Sequence, residues 1–359
     1  MVRKNQISTK VLYKKLDKLY LQSPSLDLKS QKRWVIFSDL HMGDGGSTDD
    51  FKLNANLFES ALENYYLEND SGLILNGDIE ELQRFQLKKI IDRWQKVYHL
   101  FDKFDAKKRL FKTIGNHDLE LLLIKHLPFK YKLYESLRLK FGEENLFVFH
   151  GHQASKKYQE HNELIGFTLK YFANPLGIKS YSVSHNSKKQ YKIEKRVYGF
   201  SAFNKVVSVI GHTHRPLFES LHKIERLRYK IEQLCREYSL ASKEDLDEIK
   251  QEIKAHKKEL KKYFKENKDH SFQNYVYNTL FHIPCLFNSG CVVGKRGMTC
   301  LEIEGDIIRL VHWFDKNISK KYLKQSSYQP EQLGNTDFYR LVINEESLHY
   351  IFTRIKFLA

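Results

Sequence analysis

Five short polar motifs follow one another down the chain: Asp39-Leu40-His41, Gly77-Asp78, Gly115-Asn116-His117-Asp118, His150-Gly151-His152 and Gly211-His212-Thr213-His214. Their donors are carboxylate, carboxamide and imidazole, with no thiolate, which suits borderline-hard divalent ions such as Mn, Fe, Zn or Co. Asp39 and His41 are one residue apart, as are His212 and His214, so each pair can face one way where a strand gives out into a loop. Asp78 has two carboxylate oxygens with which to bridge two cations roughly 3.5–4 Å apart. Asn116 adds an oxygen ligand without adding charge. A hydroxide held between two such ions is a nucleophile at neutral pH, and the ions clamp phosphoryl oxygens during in-line displacement. Taken singly, a histidine is ordinarily a surface or satisfied core residue, and one Gly-Asp or Gly-Asn is a turn. The information lies in the ordered set.

Something must carry these groups to one place, and each motif follows a run of β-forming residues. The runs are Trp34–Phe37, Leu73–Leu75, Leu110–Ile114, Leu146–Phe149 and Val206–Ile210. Donors at the exits of buried strands collect along one edge of a sheet, where α/β proteins place ligands. Between Arg33 and Phe149 the strands alternate with helical patterns. Leu53, Leu57, Ala61 and Tyr65 make one apolar stripe; Ile90, Ile91, Trp94, Val97, Tyr98 and Phe101 make a second. That alternation predicts an α/β layered core.

The chain has 359 residues, 41% of them hydrophobic, with 6 Pro and 17 Gly, which excludes fibrous and disordered classes. No apolar run approaches the roughly 18 residues needed to span a bilayer, and the basic start Met1–Gln6 is followed by no apolar signal region. Cys235, Cys285, Cys291 and Cys300 form no CxxC pair and no disulfide framework. Together these features predict a cytoplasmic protein with reduced thiols. The net charge is +16, and two stretches hold most of it. Residues 1–33 carry nine Lys/Arg against two Asp, and residues 153–203 carry nine against three Glu. Such stretches attract anions: nucleic acid, phosphorylated substrates or an anionic membrane face.

Residues 1–30 read as a basic helical appendage, with Val11, Leu12, Leu16, Leu19 and Tyr20 on one face and Gln22–Ser25 ending it. The core is expected over 31–215 and 271–320. Residues 153–203 interrupt the rhythm with lysines and aromatics, including Tyr158, Phe167, Tyr171, Tyr191 and Phe203, and predict a cap over the site. Residues 216–270 hold two amphipathic stripes either side of Ser242. They predict an αα-hairpin over 217–264 about 30 Å long at roughly 1.5 Å per residue. Its 14 Lys/Arg nearly cancel 12 Asp/Glu across 216–270, so a protein-binding arm is the expected role. Met298–Ile303 and Ile307–Trp313 flank Glu304-Gly305-Asp306 as a β-hairpin. Residues 321–359 are expected to pack on the core as a tail.

In order and type the motif set resembles the calcineurin-like metallophosphoesterase superfamily: D-x-H, G-D, G-N-H-D/E, a strand-end His, then G-H-x-H. Asn288-Ser289-Gly290 resembles that family's Asn-x-Gly turn. The resemblance covers Arg33–His214 and Ile283–Trp313. It implies a four-layer αββα sandwich with cap and αα-hairpin insertions, and a hydrolase holding two divalent cations, manganese foremost. By resemblance one cation takes Asp39, His41, Asp78 and His214, and the other Asp78, Asn116, His150 and His212. His117 resembles the family's catalytic histidine, which stabilises the phosphoryl group or protonates the leaving oxygen; Asp118 would orient it. His150 and His152 compete for one ligand role, which His150 takes as the first polar residue closing the strand; His152 is left facing substrate or supporting a ligand, and Arg215 facing substrate. Gly211–Pro216 and the position of the cap look like the UDP-2,3-diacylglucosamine hydrolase branch. This chain departs from that branch in having His117 where it carries Arg, and His152 where it carries Asp, so the branch substrate is not carried over.

The expected substrate is a phosphorylated small molecule or a lipid-linked phosphoester or pyrophosphate. A nuclease is the enzymatic alternative, motivated by the basic, aromatic cap. A scaffold that has lost turnover is the alternative from another class; it would be expected to lack a ligand or the acid, and this chain keeps them all.

Overall fold

Alternation along the strands builds two sheets back to back. The computed structural model describes residues 2–155, 187–221, 223–241, 245–266, 282–320, 322–324 and 329–359. The larger sheet holds eight strands: β2 (Arg33–Phe37), β3 (Gly72–Asn76), β4 (Leu110–Thr113), β5 (Leu133–Tyr134), β10 (Met298–Glu304), β11 (Ile307–Asp315), β12 (Glu331–Gln332) and β13 (Phe338–Ser347). Their order is β12-β13-β11-β10-β2-β3-β4-β5, parallel from β2 to β5 and antiparallel elsewhere. The smaller sheet has the order β1-β6-β7-β8-β9, from β1 (Ser25–Asp27), β6 (Ser136–Phe141), β7 (Glu144–Phe149), β8 (Val207–Ile210) and β9 (Leu286–Asn288).

Side chains two apart share a face. Trp34 and Ile36 of β2, Ile74 of β3, and Leu301 and Ile303 of β10 therefore meet Leu137, Leu139, Phe147 and Phe149 in the core between the sheets. The intervening Val35, Phe37, Leu73, Leu75 and Cys300 face outward under α2 (Ala55–Ala61), α3 (Leu87–Arg93) and α4 (Gln95–Ala106). Over the smaller sheet lie α1 (Val2–Gln22) and α5 (Ser187–Asn204). Helices outside two stacked sheets make the four-layer sandwich. The hairpin at Glu304-Gly305-Asp306 forms as its turn residues predict, with Gly305 at φ +62°.

Four expectations change. The N-terminal 30 residues are no appendage: Leu12 and Leu16 of α1 are buried, and β1 pairs in parallel with β6. The second half of the expected cap is core: Ile193, Val197, Tyr198 and Phe200 of α5 are buried against the smaller sheet, because their spacing of three and four gives the helix an apolar stripe. Cap residues 156–186 lie outside the described residues. The helix expected through Trp94 is broken there into α3 and α4, since the Trp94 indole donates to Gly43 O (2.9 Å) and Asp49 Oδ2 (3.2 Å). The tail supplies the strands β12 and β13 and the helix α8 (Leu348–Leu358), whose Leu348, Ile351 and Ile355 are buried in the core.

The αα-hairpin is formed by α6 (Lys223–Leu240) and α7 (Leu246–Glu266), which pack on each other through Leu227, Leu234 and His256. Lys223 Nζ lies 2.7 Å from Glu259 Oε1, which sets the start of α6 beside the latter part of α7. No motif residue lies on either helix. Replacing 224–264 by a short Gly/Ser linker is expected to leave metal content and turnover of a small phosphoester at the parent level. Metal analysis and a chromogenic assay on the deletion test this; lost metal would make the arm part of the site. No helix of the described residues is long and apolar enough to cross a membrane.

Candidate metal centre

The five motif loops leave the C-terminal ends of β2, β3, β4, β7 and β8. They come from both sheets rather than one: Asp39, His41, Asp78 and Asn116 from the larger, and His150, His212 and His214 from the smaller. Backbone bonds tie the loops together. Asp39 N donates to Gly77 O (3.1 Å), His41 N to Asp78 O (3.0 Å) and Gly211 N to His150 O (2.9 Å). His212 N donates across the sheets to Asp39 Oδ2 (2.9 Å).

Close approach explains two motif glycines. A Cβ on Gly115 would lie 2.1 Å from Asp78 Oδ1, and one on Gly77, at φ +78°, would lie 2.6 Å from the His150 ring. The candidate ligands carry the strain instead. Asp39, His41, Asp78, His212 and His214 all have φ between +48° and +64°. Non-glycine residues there cost about 1–3 kcal/mol each and persist only where surrounding contacts over-determine them.

Among the described residues, three overlapping groups of donors lie within 4.8 Å: Asp39, His41 and His214; His41, Asp78 and His117; Asp78, His150 and His212. His41 Nε2 and His214 Nε2 face each other at 3.0 Å, and His214 Nε2 is 3.1 Å from Asp39 Oδ1. His150 donates through Nδ1 to Asn76 O (2.9 Å), and its Nε2 lies 3.0 Å from Asp78 Oδ2. The two oxygens of Asp78 are not equivalent. Oδ1 accepts His117 N–H (2.8 Å), so only Oδ2 lies between the two donor groups. Oδ2 is thus the Asp78 oxygen that faces both donor groups.

Buried polar atoms ordinarily find partners, and an orphan costs about 1–3 kcal/mol. Asn116 Oδ1, His150 Nε2 and His212 Nε2 are buried without a hydrogen-bond partner among the described residues. All three can offer a lone pair once the imidazoles are neutral, and a cation would take the place of the donor each lacks. The residues present fit a pair of divalent ions.

His117 holds a different kind of partner. Its Nδ1–H donates to Glu81 Oε1 (2.8 Å), and the other oxygen of Glu81 accepts His41 Nδ1–H (3.0 Å). Asp118, expected to orient His117, accepts instead from Gly115 N (2.6 Å) and Ile79 N (2.9 Å) and so clamps two loops. Glu81 takes the orienting role because its longer side chain reaches both imidazoles from the loop that carries Asp78. Its place three residues after Asp78 was the available sequence signal. His152 is buried, its ring 5.5 Å from that of His150 and 6.3 Å from that of His212. Arg215 is partly exposed, with Nη1 3.7 Å from Glu194 Oε2.

Burial disfavours charge on each of these groups, but neighbours reverse it for several. His214 and His150 outweigh burial at Asp39 and hold its carboxyl well below the usual range. The His117 and His41 hydrogen bonds likewise hold Glu81 at about 2. Asp78 and Asp39 overcome burial to push His150 up to about 9, and Asp39 does the same for His214, also to about 9. At His212 the pull of Asp78 and Asp39 does not offset burial, and burial, then His150, lowers it to about 3. Burial, with Asp78 and Glu80 near, pushes Asp118 up to about 6 against the pull of Lys112.

A pH prediction follows from His150 and His214. Raised from 6.5 to about 9, they stabilise the metal-free protein fully below pH 6.5, and that stability is lost as pH rises through 9. Ligation needs neutral rings, so metal affinity runs the other way and rises across the same window. The metal-free unfolding temperature should fall from pH 6.5 to 9 while the increment produced by Mn²⁺ grows. A pH-independent increment would show that no proton is displaced.

No family model and no curated protein matches the chain. It is similar to a solved uncharacterized protein (predicted phosphoesterase) of Streptococcus pneumoniae TIGR4, at 11% identity and TM-score 0.30, covering 79% of this chain and 90% of that one. It is similar to Vacuolar Protein Sorting 29 from Cryptosporidium parvum at 10% identity and TM-score 0.35, covering 88% and 98%. A Vps29 single mutant from Entamoeba histolytica aligns at 10% identity and TM-score 0.33, covering 87% and 99%.

Proposed function

We propose that this chain is a metal-dependent phosphoesterase of the calcineurin-like type, hydrolysing a phosphoester or pyrophosphate bond. One observation carries the reading: donors from two sheets converge, with Asn116 Oδ1, His150 Nε2 and His212 Nε2 buried without a hydrogen-bond partner among the described residues, beside an imidazole oriented by a carboxylate.

Asp39, His41 and His214 would hold one divalent ion, and Asn116, His150 and His212 the other, with Asp78 serving both. Two such ions, manganese foremost, supply Lewis acidity at phosphoryl oxygens and a nucleophile at neutral pH. Glu81 stays ionised throughout the working range. It binds the His117 proton at Nδ1 and leaves Nε2 to exchange a proton with the leaving oxygen. Its second oxygen fixes the His41 tautomer, so acid and ligand are oriented by one carboxylate.

The test is a panel with Mn²⁺-loaded and chelator-treated protein. The substrates are a chromogenic phosphomonoester, a chromogenic phosphodiester, a nucleotide-sugar pyrophosphate and single-stranded DNA. Metal-dependent turnover of at least one phosphoester is expected. Hydrolysis of DNA alone would favour a nuclease. No metal bound and no turnover on any substrate would make the chain a scaffold.

A further inference from the structure

His212 and His214 must serve two different positions from either side of one residue, Thr213, with both backbones in the left-handed region. What holds Thr213 therefore decides where both imidazoles point. Thr213 O accepts from Gln190 Nε2 at 2.8 Å. Its hydroxyl lies 2.8 Å from Glu194 Oε1 and 2.9 Å from Asn288 Nδ2, with Glu194, Thr213 and Asn288 all fully buried. The direction of this chain of bonds is forced. Gly290 N–H donates to Asn288 Oδ1 (2.8 Å), so the Asn288 amide must present its NH₂ to Thr213 Oγ1 and to Gly211 O (2.9 Å). With its oxygen accepting from Asn288, the Thr213 hydroxyl has one direction left for its proton, toward Glu194. Only an acceptor at position 194 completes the chain.

We infer that Glu194 is a positioning residue of the metal centre: as the obligatory acceptor for Thr213, it makes α5 part of the frame that aims His212 at one ion and His214 at the other. This rests on the proposed metal centre. Glu194 and Gln190 lie one helical turn apart and face the same loop, so α5 grips both the side chain and the backbone of Thr213. Removing the acceptor leaves a buried hydroxyl donor without a partner and frees the turn to relax.

Mn²⁺ affinity, measured by calorimetric titration of the full-length chain, is the readout. Thermal unfolding of the chelator-treated forms reports on folding separately. Glu194→Ala should bind Mn²⁺ roughly 10–100-fold more weakly, the usual consequence of losing an outer partner of a ligand. Glu194→Gln keeps an acceptor oxygen and should restore affinity close to the parent's. Thr213→Val, which removes the donor without touching α5, should match Glu194→Ala. Parent-like affinity in Glu194→Ala or Thr213→Val overturns the inference, as does an equal loss in Glu194→Gln and Glu194→Ala. If Glu194→Ala does not fold, Thr213→Val decides. A parent protein that binds no Mn²⁺ would instead remove the proposed metal centre itself.

Discussion

Asp78→Asn is expected to fold like the parent and to lose the metal pair. The substitution preserves shape, and Asn tolerates the left-handed backbone found at this position, φ +54°. An amide cannot satisfy both sides, however. Its oxygen must take the place of Oδ1, which accepts the His117 N–H, so its NH₂ falls where Oδ2 now lies between the two donor groups. A donor then replaces an acceptor at the oxygen that faces both donor groups. The loss should exceed the ~10–100-fold typical of removing an outer hydrogen-bond partner. Metal analysis after desalting should show the largest deficit of any single ligand variant. The chelated protein should still unfold cooperatively, at a temperature lowered by loss of the Asp78 charge beside His150, while the Mn²⁺-induced increment disappears. Full metal occupancy in Asp78→Asn or Asp78→Ala would refute the shared position.

His117→Ala should keep both metals yet lose rate by roughly 10²–10⁴-fold, the range for a general acid. The loss should shrink for substrates whose leaving group departs without protonation, because the variant lacks only the proton. An equal loss on good and poor leaving groups would assign His117 to phosphoryl binding. Glu81 separates from Asp118 in the same assay. Glu81→Gln has one oxygen for two imidazole N–H groups, so either His41 or His117 loses its acceptor. That variant should therefore lose metal affinity if His41 is left without its acceptor, or show the leaving-group dependence if His117 is. Asp118→Asn should instead register mainly in thermal unfolding, since its oxygens accept backbone N–H groups of two loops. If Asp118→Asn reproduced the leaving-group signature and Glu81→Gln did not, the assignment of the orienting carboxylate would be reversed.

One fully buried cluster behind the site shows how far the loops are constrained. Lys112 Nζ lies 2.6 Å from Glu80 Oε1, which also accepts from Tyr98 OH (2.9 Å), and the ammonium sits 5.3 Å from the Phe129 ring centroid. Glu80 belongs to the loop that carries Asp78 and Glu81, so strand β4 and helix α4 both hold that loop from beneath. The strained backbone at Asp78 is set in part by this packing, which no motif displays.

The strands, the order of the donors and the class of ion they suit belong to the sequence itself. A period of two along Trp34–Phe37 or Val206–Ile210, and the donor chemistry of Asp, Asn and His, are local properties that survive without knowing the neighbours. Periodicity located the helical segments but not where a helix breaks. Trp94 interrupts its helix because its indole is drawn to Gly43 O and Asp49 in a distant loop. Which partner a given polar atom has is not local at all. Asp118 adjoins His117 in the chain yet turns to Gly115 and Ile79, while Glu81, 36 residues away, takes the imidazole. Glu194 was invisible on the same ground, since its partner Thr213 becomes a neighbour only when α5 packs on the smaller sheet. Residue type and spacing thus determined what could bind. The meeting of two sheets decided which atoms face the ions, because a buried hydrogen bond is settled by sub-ångström placement of loops far apart in the chain.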